Sequence, residues 1–587
     1  MATGPPVRSE PELDPPQEFV TIMDPVHGSI QLDKYLFKII DRPEFQRLRK
    51  IKQFGESKLC TTDTKILGGV YYVYSGGVHT RFEHSIGVCY IAGQLVEALN
   101  KHCPPKEEKL SEWFTPQEKM CVQIAALCHD IGHGPFSHVY DIAVKEYYKK
   151  LKSKQKMKEF ITSKEDEYGD NEKVDSYVEK EELPKKAKHE YRSALIVERM
   201  MEELTFDKRF EKDKSRYIKL IQDMITFSEQ GFDNAEETLP SRKTYKQKAF
   251  LFEIVANEFT GIDVDKMDYF ARDARSIGLP NSFDWRRFTQ TAKIIKCEDG
   301  FHHICSRDKD VSSLYELFHT RNVLYRSVYK HKTVVIVEDL IKSALKEATI
   351  QVKVGQRSYP LIKCWQNMDA FHLIDDSIED LIMKEIQVIT AKPMQSQQLH
   401  IKKARITSES PRRHFSRIKD RKLPKFLGRT KKAKHDDDIE SKRKDIAICT
   451  ADTKSEIKTI EKRLKPLTVK FSYGKGSKDP IESHFFYGKF YPQHPFRIPK
   501  EEVSKILPSD FEEEEVFWYY DMKDDHGDET KAIVWECLNT DKLPTELKSA
   551  LEGSYTRKRK LHEEQEEYTT DKDLRDFKRV IKRYRPK

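Results

Sequence analysis

Two histidines and two aspartates are the residues of this chain best suited to chemistry. His129 and Asp130 end an apolar helical stretch in Cys128-His129-Asp130-Ile131-Gly132-His133-Gly134. His84 opens a second apolar helix, and Asp265 lies in an apolar segment where an unpaired acid would be costly to bury. For His84 alone, a hydrogen-bonded core histidine is the simpler interpretation. Together, two imidazoles and two carboxylates predict a hydrolytic metal site suited to Fe, Mn, Zn or Mg.

Other histidines near this set are candidate acid or base groups, because imidazole titrates close to neutral pH. His133 and His138 follow Asp130 closely, and His189 comes after a charged stretch. Asp141 stands three residues after His138, where it could orient that ring. The sequence therefore predicts proton transfer beside the metal.

Cations lie in the same segments. Arg81 precedes His84 by about one helical turn, Lys266 follows Asp265, and Arg321 lies in a later apolar stretch. Each alone is more simply a surface charge or a helix salt bridge, but their concentration around the ligands suits a phosphate substrate. One helix face carries a ligand and polar neighbours at spacing i, i+4, i+7 and i+8, namely Asp265, Tyr269, Arg272 and Asp273.

Helices must position these groups. Apolar spacing near 3.6 residues predicts buried helices over 84–99 and 116–129, and a pair of long helices over 311–350. Helical sequence also covers 189–227 and 246–275, whereas 19–22 resembles a strand.

Composition bounds the rest of the chain. Of its 587 residues, 37% are apolar, enough for a large core, while 34% are charged, which indicates long solvated segments. The apolar runs are too short to cross a bilayer, and the first residues lack a signal-peptide core, so we expect neither membrane insertion nor secretion. Ten scattered cysteines without a CxxC pair suit a reducing compartment. We predict a disordered tail (1–17), a core (18–350) with a charged insertion (147–188), a helical extension with a basic linker (351–454), a mixed lobe (455–540) and a charged tail (541–587).

Several motifs together resemble the vertebrate family of sterile-alpha-motif and HD-domain deoxynucleoside triphosphate triphosphohydrolases. They include Asp24-Pro25-Val26-His27-Gly28, Arg81-Phe82-Glu83-His84-Ser85, the segment from Leu127 to His138, and Gly261 to Asp273. The resemblance implies a mainly α fold, with an HD-superfamily helical core and a smaller mixed α/β C-terminal lobe. It also implies a hydrolase that cleaves a dNTP to deoxynucleoside and intact triphosphate.

The same resemblance implies roles for individual residues. The metal (Fe or Zn) would be held by His84, His129, Asp130 and Asp265, and Mg would accompany the nucleotide phosphates. His138, supported by Asp141, would protonate the departing 5′ oxygen, with His133 and His189 assisting. Phosphates would bind Arg81, Lys266 and Arg321; Gln53 and Asp273 would bind the 3′-hydroxyl, and Tyr269 and Tyr329 would crowd C2′. Phe54 and Lys330 complete the substrate set.

Regulation is implied as well. The family assembles into tetramers activated by GTP or dGTP in one site and a dNTP in a second. The matching positions are Asp41, Gln46, Arg49, Val73, Tyr74, Arg287, Arg307, Lys309, His331, Lys332 and Lys489. Control of dNTP pools, antiviral restriction, innate immunity and nuclear residence also follow from the resemblance, and Arg557-Lys558-Arg559-Lys560 would suit nuclear import.

The sequence departs from the family in several places. We expect the sterile-alpha-motif domain to be missing, and an insertion at 57–67 falls near the expected sugar pocket. Val20 and Met23 replace a Lys and an Asn at regulatory positions, Lys330 replaces a Gln, and Ser327 replaces an Arg. Two alternatives stay open: an HD phosphodiesterase acting on another nucleotide, and a regulator that binds RNA or single-stranded DNA through the basic 395–445 segment.

Overall fold

Helices dominate the described part of the chain. A computed structural model describes residues 19–53, 68–102, 113–153, 187–204, 210, 213–238, 246–384, 386–390, 400–403, 410–431, 437–450 and 454–521. The mainly α class with some sheet toward the C-terminus is confirmed. Both predicted tails, Phe54, the 57–67 insertion and most of 147–188 lie outside the described residues.

The N-terminal half is built from a hairpin and a group of packed helices. Strands β1 (Phe19–Asp24) and β2 (Gly28–Asp33) pair antiparallel. The helices that follow are α1 (Lys34–Ile40), α2 (Pro43–Gln46), α3 (Arg81–Lys101), α4 (Pro116–Cys128), α5 (His138–Ser153), α6 (His189–Glu203), α7 (Lys214–Thr238), α8 (Val264–Ile277) and α9 (Trp285–Thr291).

The two buried helices predicted over 84–99 and 116–129 are confirmed as α3 and α4, and each begins at a capping box. The N–H of Thr80 donates to Glu83 at 2.8 Å in front of α3. Before α4, the N–H of Thr115 donates to Glu118 at 2.9 Å, and the Glu118 N–H donates back to the Thr115 hydroxyl at 3.2 Å. These bonds satisfy backbone donors that have no partner within the helix. The caps therefore fix where both metal-bearing helices start.

Helices α3 and α8 pack closely at Gly87. A Cβ at this position would lie 2.0 Å from Asp268 Oδ1 and 2.5 Å from Arg272 Nη2, far inside van der Waals contact. Only glycine allows this approach. The close packing brings the first turn of α3 beside the first turn of α8, where His84 and Asp265 lie.

The C-terminal half mixes helices with three further sheets. Strands β3 (Lys293–Lys296) and β4 (His302–Arg307) precede α10 (Val311–Leu324) and α11 (Lys332–Glu347), the predicted long pair, which a π-helical turn joins at Tyr325–Tyr329. The later elements are β5 (Gln351–Val354), β6 (Arg357–Pro360), α12 (Met368–His372), α13 (Ile378–Met383), β7 (Ile386–Thr390), β8 (His400–Lys403), α14 (Ser410–Lys419), β9 (Lys425–Lys431), α15 (Asp437–Thr450), α16 (Lys454–Arg463), β10 (Leu464–Ser472), β11 (Phe486–Tyr487), β12 (Pro495–Phe496), α17 (Lys500–Val503) and β13 (Glu512–Tyr520).

Sheet pairing crosses two of the predicted domain boundaries. Strand β9 lies in the segment predicted as a basic linker, yet it pairs with β13, which also pairs with β10. Strand β11 of the predicted C-terminal lobe pairs parallel with β4 of the predicted core. The basic composition of this segment did not predict a strand, because the exposed positions of β9 carry the charges and only Leu427 is buried. Pairing between distant strands leaves no periodic signal in the chain.

Among the described residues, no helix is both long enough and apolar enough to cross a membrane.

Candidate active site

The four predicted metal ligands converge in the folded chain. Nε2 of His84 lies 3.1 Å from Asp265 Oδ1 and 3.4 Å from Asp130 Oδ2. Nε2 of His129 lies 3.3 Å from Asp265 Oδ1 and 3.5 Å from Asp130 Oδ2. All four side chains are fully buried. Two imidazole nitrogens therefore face two carboxylates across a space that a single divalent cation would fill.

Both histidines are held in the orientation that metal binding requires. Nδ1–H of His129 donates to the carbonyl of Ala126 at 2.8 Å, and Nδ1–H of His84 donates to Asp268 at 2.8 Å. With the proton on Nδ1, each Nε2 turns its lone pair toward the two carboxylates. The donor set thus fits a divalent ion such as Fe, Mn or Zn.

Asp268 was not predicted as a functional residue, although it lies one helical turn after Asp265. Its carboxylate accepts from His84, from His27 Nε2 at 2.6 Å, and from Nε and Nη2 of Arg272 at 2.9 Å each. Burial opposes its ionisation, but Arg272 and the two histidines hold the pKa of Asp268 well below its usual range. The i+3 spacing on α8 was the available signal. Nothing in the sequence showed that Asp268 would meet α3.

Charge also favours a cation between the ligands. Burial alone would lower the pKa of His84, but hydrogen bonds to Asp130, Asp265 and Asp268 raise it well above its usual value. Acidic groups therefore outweigh the imidazoles around Nε2. A divalent ion would neutralise these carboxylates and take the place of the proton.

The predicted acid and base groups form a second cluster directly beside the ligands. The rings of His133 and His189 stack at 3.7 Å, and the His138 ring lies edge-on to both, at 4.7 and 4.8 Å. His133 Nε2 lies 3.2 Å from Asp130 Oδ1, so this cluster adjoins the metal ligands. Asp141 accepts from His189 Nδ1 at 2.9 Å and lies 3.8 Å from His138 Nδ1.

Backbone geometry turns His138 toward this cluster. Phe136 and Ser137 have positive φ angles of 57° and 56°, a conformation that side chains other than glycine rarely adopt. Helix α5 then begins at His138. Among the described residues, Nε2 of His138 and of His189 has no hydrogen-bond partner. Both buried nitrogens are available to a ligand.

Arg81 lies at the metal ligands, as the sequence predicts. Its guanidinium donates to Asp130, and its Nε donates to the Ser137 hydroxyl at 2.8 Å. Lys266 is buried and donates to Asp263 at 2.7 Å. Arg321 is also buried, but its guanidinium bonds the backbone carbonyl and hydroxyl of Ser472 in the C-terminal lobe. The lobe therefore contributes to holding a predicted phosphate-binding residue.

The predicted sugar-binding residues are buried polar groups. Among the described residues, the side-chain amide of Gln53 has no hydrogen-bond partner at either end. Asp273 accepts from the Tyr329 hydroxyl at 2.5 Å and from His79 Nε2 at 2.7 Å. Tyr269 is fully buried on the same helix. His79 was not predicted as a functional residue, because no recognisable pattern surrounds it.

Lys330, at the position of the family glutamine, is also buried. Burial raises the pKa of Glu338 to about 8, although the nearby charge of Lys330 acts to lower it. Glu338 in turn accepts from the backbone N–H groups of Gly68 and Gly69 at 3.1 and 3.4 Å. These two glycines directly follow the 54–67 segment.

Residues matched to the regulatory sites lie at half-buried or exposed positions. Gln46 accepts from Arg49 Nε at 2.8 Å, and Asp41 is the exposed residue that ends α1. The rings of Tyr74 and His331 meet at 5.9 Å. Val73 is half-buried, and Lys309, Lys332 and Lys489 are exposed.

Two further regulatory positions lie near the C-terminal end of β4. Arg287 forms an ion pair with Asp310 at 2.6 Å, and Arg307 stacks over the Tyr487 ring at 5.6 Å. The pairing of β11 with β4 therefore brings the C-terminal lobe beside them.

Comparison with known proteins agrees with this geometry. A protein-family model described as HD domain matches residues 81–224, which contain three of the four candidate ligands. The deoxynucleoside triphosphate triphosphohydrolase SAMHD1 of Xenopus laevis is 33% identical over 538 residues, 88% of this chain and 74% of the relative. The Homo sapiens protein of the same name is 34% identical over 508 residues, covering 84% and 69%. A SAMHD1 homolog of Dictyostelium discoideum is 28% identical over 495 residues, covering 84% and 76%. This chain belongs to the SAMHD1 family of HD-domain proteins.

Proposed function

We propose that this protein is a metal-dependent hydrolase that cleaves dNTPs to deoxynucleosides and inorganic triphosphate. The observation that carries the proposal is the direct contact between the metal-ligand set and the histidine cluster, through His133 and Asp130. A nucleophile generated at one set would lie beside a proton donor in the other. The names of the relatives, which describe dNTP triphosphohydrolases, supply the substrate class.

The metal would be held by His84, His129, Asp130 and Asp265. A divalent ion bound there supplies an activated water at neutral pH and stabilises charge on the phosphate, and Mg accompanies the nucleotide phosphates. The Arg81 guanidinium, which lies next to Asp130, would bind the phosphate under attack. Water adds to the α-phosphorus, and the bond between that phosphorus and the 5′ oxygen breaks.

The leaving 5′ oxygen needs a proton, and His138 is the residue we assign to donate it. Burial lowers the pKa of His138 to about 4, so the ring is neutral at pH 7 in the free protein. A bound triphosphate adds negative charge and raises the pKa of a neighbouring imidazole. Asp141 favours the protonated ring because it carries a negative charge. Although Asp141 is buried, Arg192, His138 and His189 hold its pKa well below the usual range. His133 and His189 would hold His138 edge-on.

Selection of the sugar would come from buried polar residues. Gln53 and Asp273 would bind the 3′-hydroxyl. In support, the Gln53 amide lacks partners among the described residues, and Tyr329 and His79 hold the Asp273 carboxylate in position. Tyr269 and Tyr329 would crowd C2′ and so exclude a ribose. Nucleotides with a 2′-hydroxyl are therefore expected to be poor substrates.

Product analysis tests this function. Purified protein of measured metal content is incubated with dGTP, with and without GTP, and the products are separated. Deoxyguanosine with inorganic triphosphate supports the proposal. Release of dGDP or dGMP would contradict it and favour an HD phosphodiesterase or nucleotidase.

Regulation by nucleotides belongs to the same proposal. GTP or dGTP would bind near Asp41, Gln46 and Arg49, and a dNTP would bind near Arg287 and Arg307, within a homotetramer. Control of nuclear dNTP pools, with a role in antiviral restriction and innate immunity, would be the biological consequence. The exposed cations Arg49 and Arg287 support anion binding at these positions. A rate that rises with GTP together with a shift to tetramer in sedimentation would support it; a rate independent of GTP would oppose it.

A further inference from the structure

A short loop of the C-terminal lobe packs onto Arg321. It follows β10 and runs from Ser472 to Lys475. Ser472 accepts from Arg321 through its carbonyl and its hydroxyl oxygen. Gly474 has a φ of +113°, and a Cβ there would lie 3.6 Å from Arg321 Cδ, in contact with the side chain. The loop therefore has a fixed position beside a proposed phosphate-binding cation.

The next residue of this loop, Lys475, reaches the segment that leads to the metal ligand Asp265. Its ammonium donates to the carbonyls of Glu258 and of Phe259, the latter at 3.1 Å. An ammonium group has three N–H donors, and these two carbonyls take two of them. The same segment ends at Asp263, which accepts from Lys266 Nζ at 2.7 Å. Residues 258–263 thus hold the side chains of both Lys475 and Lys266.

The charges in this region repel one another. Burial, together with the charges of Lys266 and Lys478, lowers the pKa of Lys475 to about 8, although the carboxylates of Glu258 and Asp263 oppose this shift. Asp263 already pairs with Lys266, but three cations beside two carboxylates leave an excess of positive charge that an anion would offset. A polyphosphate is the anion whose charge matches such a group.

We propose that Lys475 is a further phosphate-binding residue, contributed by the C-terminal lobe, which acts with Lys266 and Arg321 to select a triphosphate over shorter phosphates. The inference rests on the proposed dNTP hydrolysis and extends its phosphate-binding set across both halves of the chain. The third N–H of Lys475 donates to a phosphate oxygen when substrate binds. The residue lowers KM and takes no part in the bond-breaking step.

The test compares Lys475→Met with Lys475→Arg in the full-length protein. Lys505→Met is the matched control, because Lys505 is an exposed lysine of the same lobe. Calorimetry measures the binding of inorganic triphosphate and of pyrophosphate, and kinetics with dGTP separate KM from kcat. We expect Lys475→Met to weaken triphosphate about tenfold and to raise KM similarly, with kcat changed less than about twofold; the loss for pyrophosphate should be smaller, and arginine should restore most of the affinity.

A second measurement needs no substitution. Lysines are acylated by a trace of acetic anhydride, with and without inorganic triphosphate, and each site is quantified by mass spectrometry. Triphosphate should protect Lys475 and leave Lys505 unchanged. Equal labelling of Lys475 in both samples, or unchanged triphosphate affinity in Lys475→Met, would overturn the inference. Neither acylation nor triphosphate affinity depends on turnover. Release of dGMP by the native protein would therefore refute the proposed function, while these two measurements would still decide whether Lys475 binds triphosphate.

Discussion

Replacing Asp268 by asparagine removes one charge next to the metal site and leaves all four candidate ligands in place. Asp268 accepts from His84 at 2.8 Å, and His84 shares the ligand set with Asp265 at 3.1 Å. The amide of asparagine has nearly the shape of the carboxylate. It cannot accept as strongly from the imidazole, and it presents an N–H₂ group to donors. The substitution therefore tests whether orientation of His84 controls metal affinity.

The expected size follows from the contacts. Mutation of a residue that orients a metal-binding histidine typically lowers metal affinity about 10- to 100-fold, or by about 1.4 to 2.7 kcal/mol. The substitution should not leave Arg272 without a carboxylate partner, because Arg272 also pairs with Asp24 at 3.0 Å. We thus expect Asp268→Asn to fold, and to bind metal more weakly by this factor.

Competition with a chelator of known affinity, followed by metal analysis, gives the dissociation constant of each protein. Asp420→Asn serves as the control, since Asp420 is an exposed carboxylate away from α8. Activity of Asp268→Asn should recover as free metal rises, because kcat of the loaded enzyme depends on the ligands and His138. A metal dissociation constant equal to that of the native protein would refute the orienting role of Asp268.

Two further predictions concern His138. His138→Gln should lower kcat by about 10²- to 10⁴-fold in steady-state assays, with metal content unchanged. A smaller loss of kcat would contradict the role of His138 as the proton donor. The second prediction concerns pH: burial holds the pKa of His138 at about 4, below the value of roughly 6.5 in an unfolded chain, so the unfolded state takes up the proton first as pH falls. The neutral ring thus contributes stability above about pH 6.5 that is lost toward pH 4. Urea unfolding should show a smaller loss over this window in His138→Gln than in the native protein; equal losses would contradict it.

The ligand set could be predicted from the sequence because each member lies in a short motif with apolar surroundings. His84, His129 and Asp130 sit at helix ends, where capping residues and apolar spacing mark the element boundaries. Asp265 was recognisable as an acid in an apolar segment. All four meet in the fold.

What orients these ligands could not be predicted in the same way. Asp268 acts through its contact with α3, and that contact depends on the close approach at Gly87. His79 reaches Asp273 from the loop that precedes α3, and Ser472 reaches Arg321 from 151 residues further along the chain. Such pairs are set by tertiary packing, which a single sequence does not encode as a local pattern.

The dependence of Arg321 on Ser472 has a consequence for the order of events during synthesis. The metal ligands are all present once Asp265 has left the ribosome, but Lys475, at the end of the loop, follows 210 residues later. At a translation rate of about 5 to 20 residues per second, this delay is roughly 10 to 40 s. A nascent chain in that interval holds a complete set of ligands for a metal ion and an incomplete surface for the triphosphate. The order of residues along the chain therefore completes the metal-ligand set before the proposed triphosphate surface.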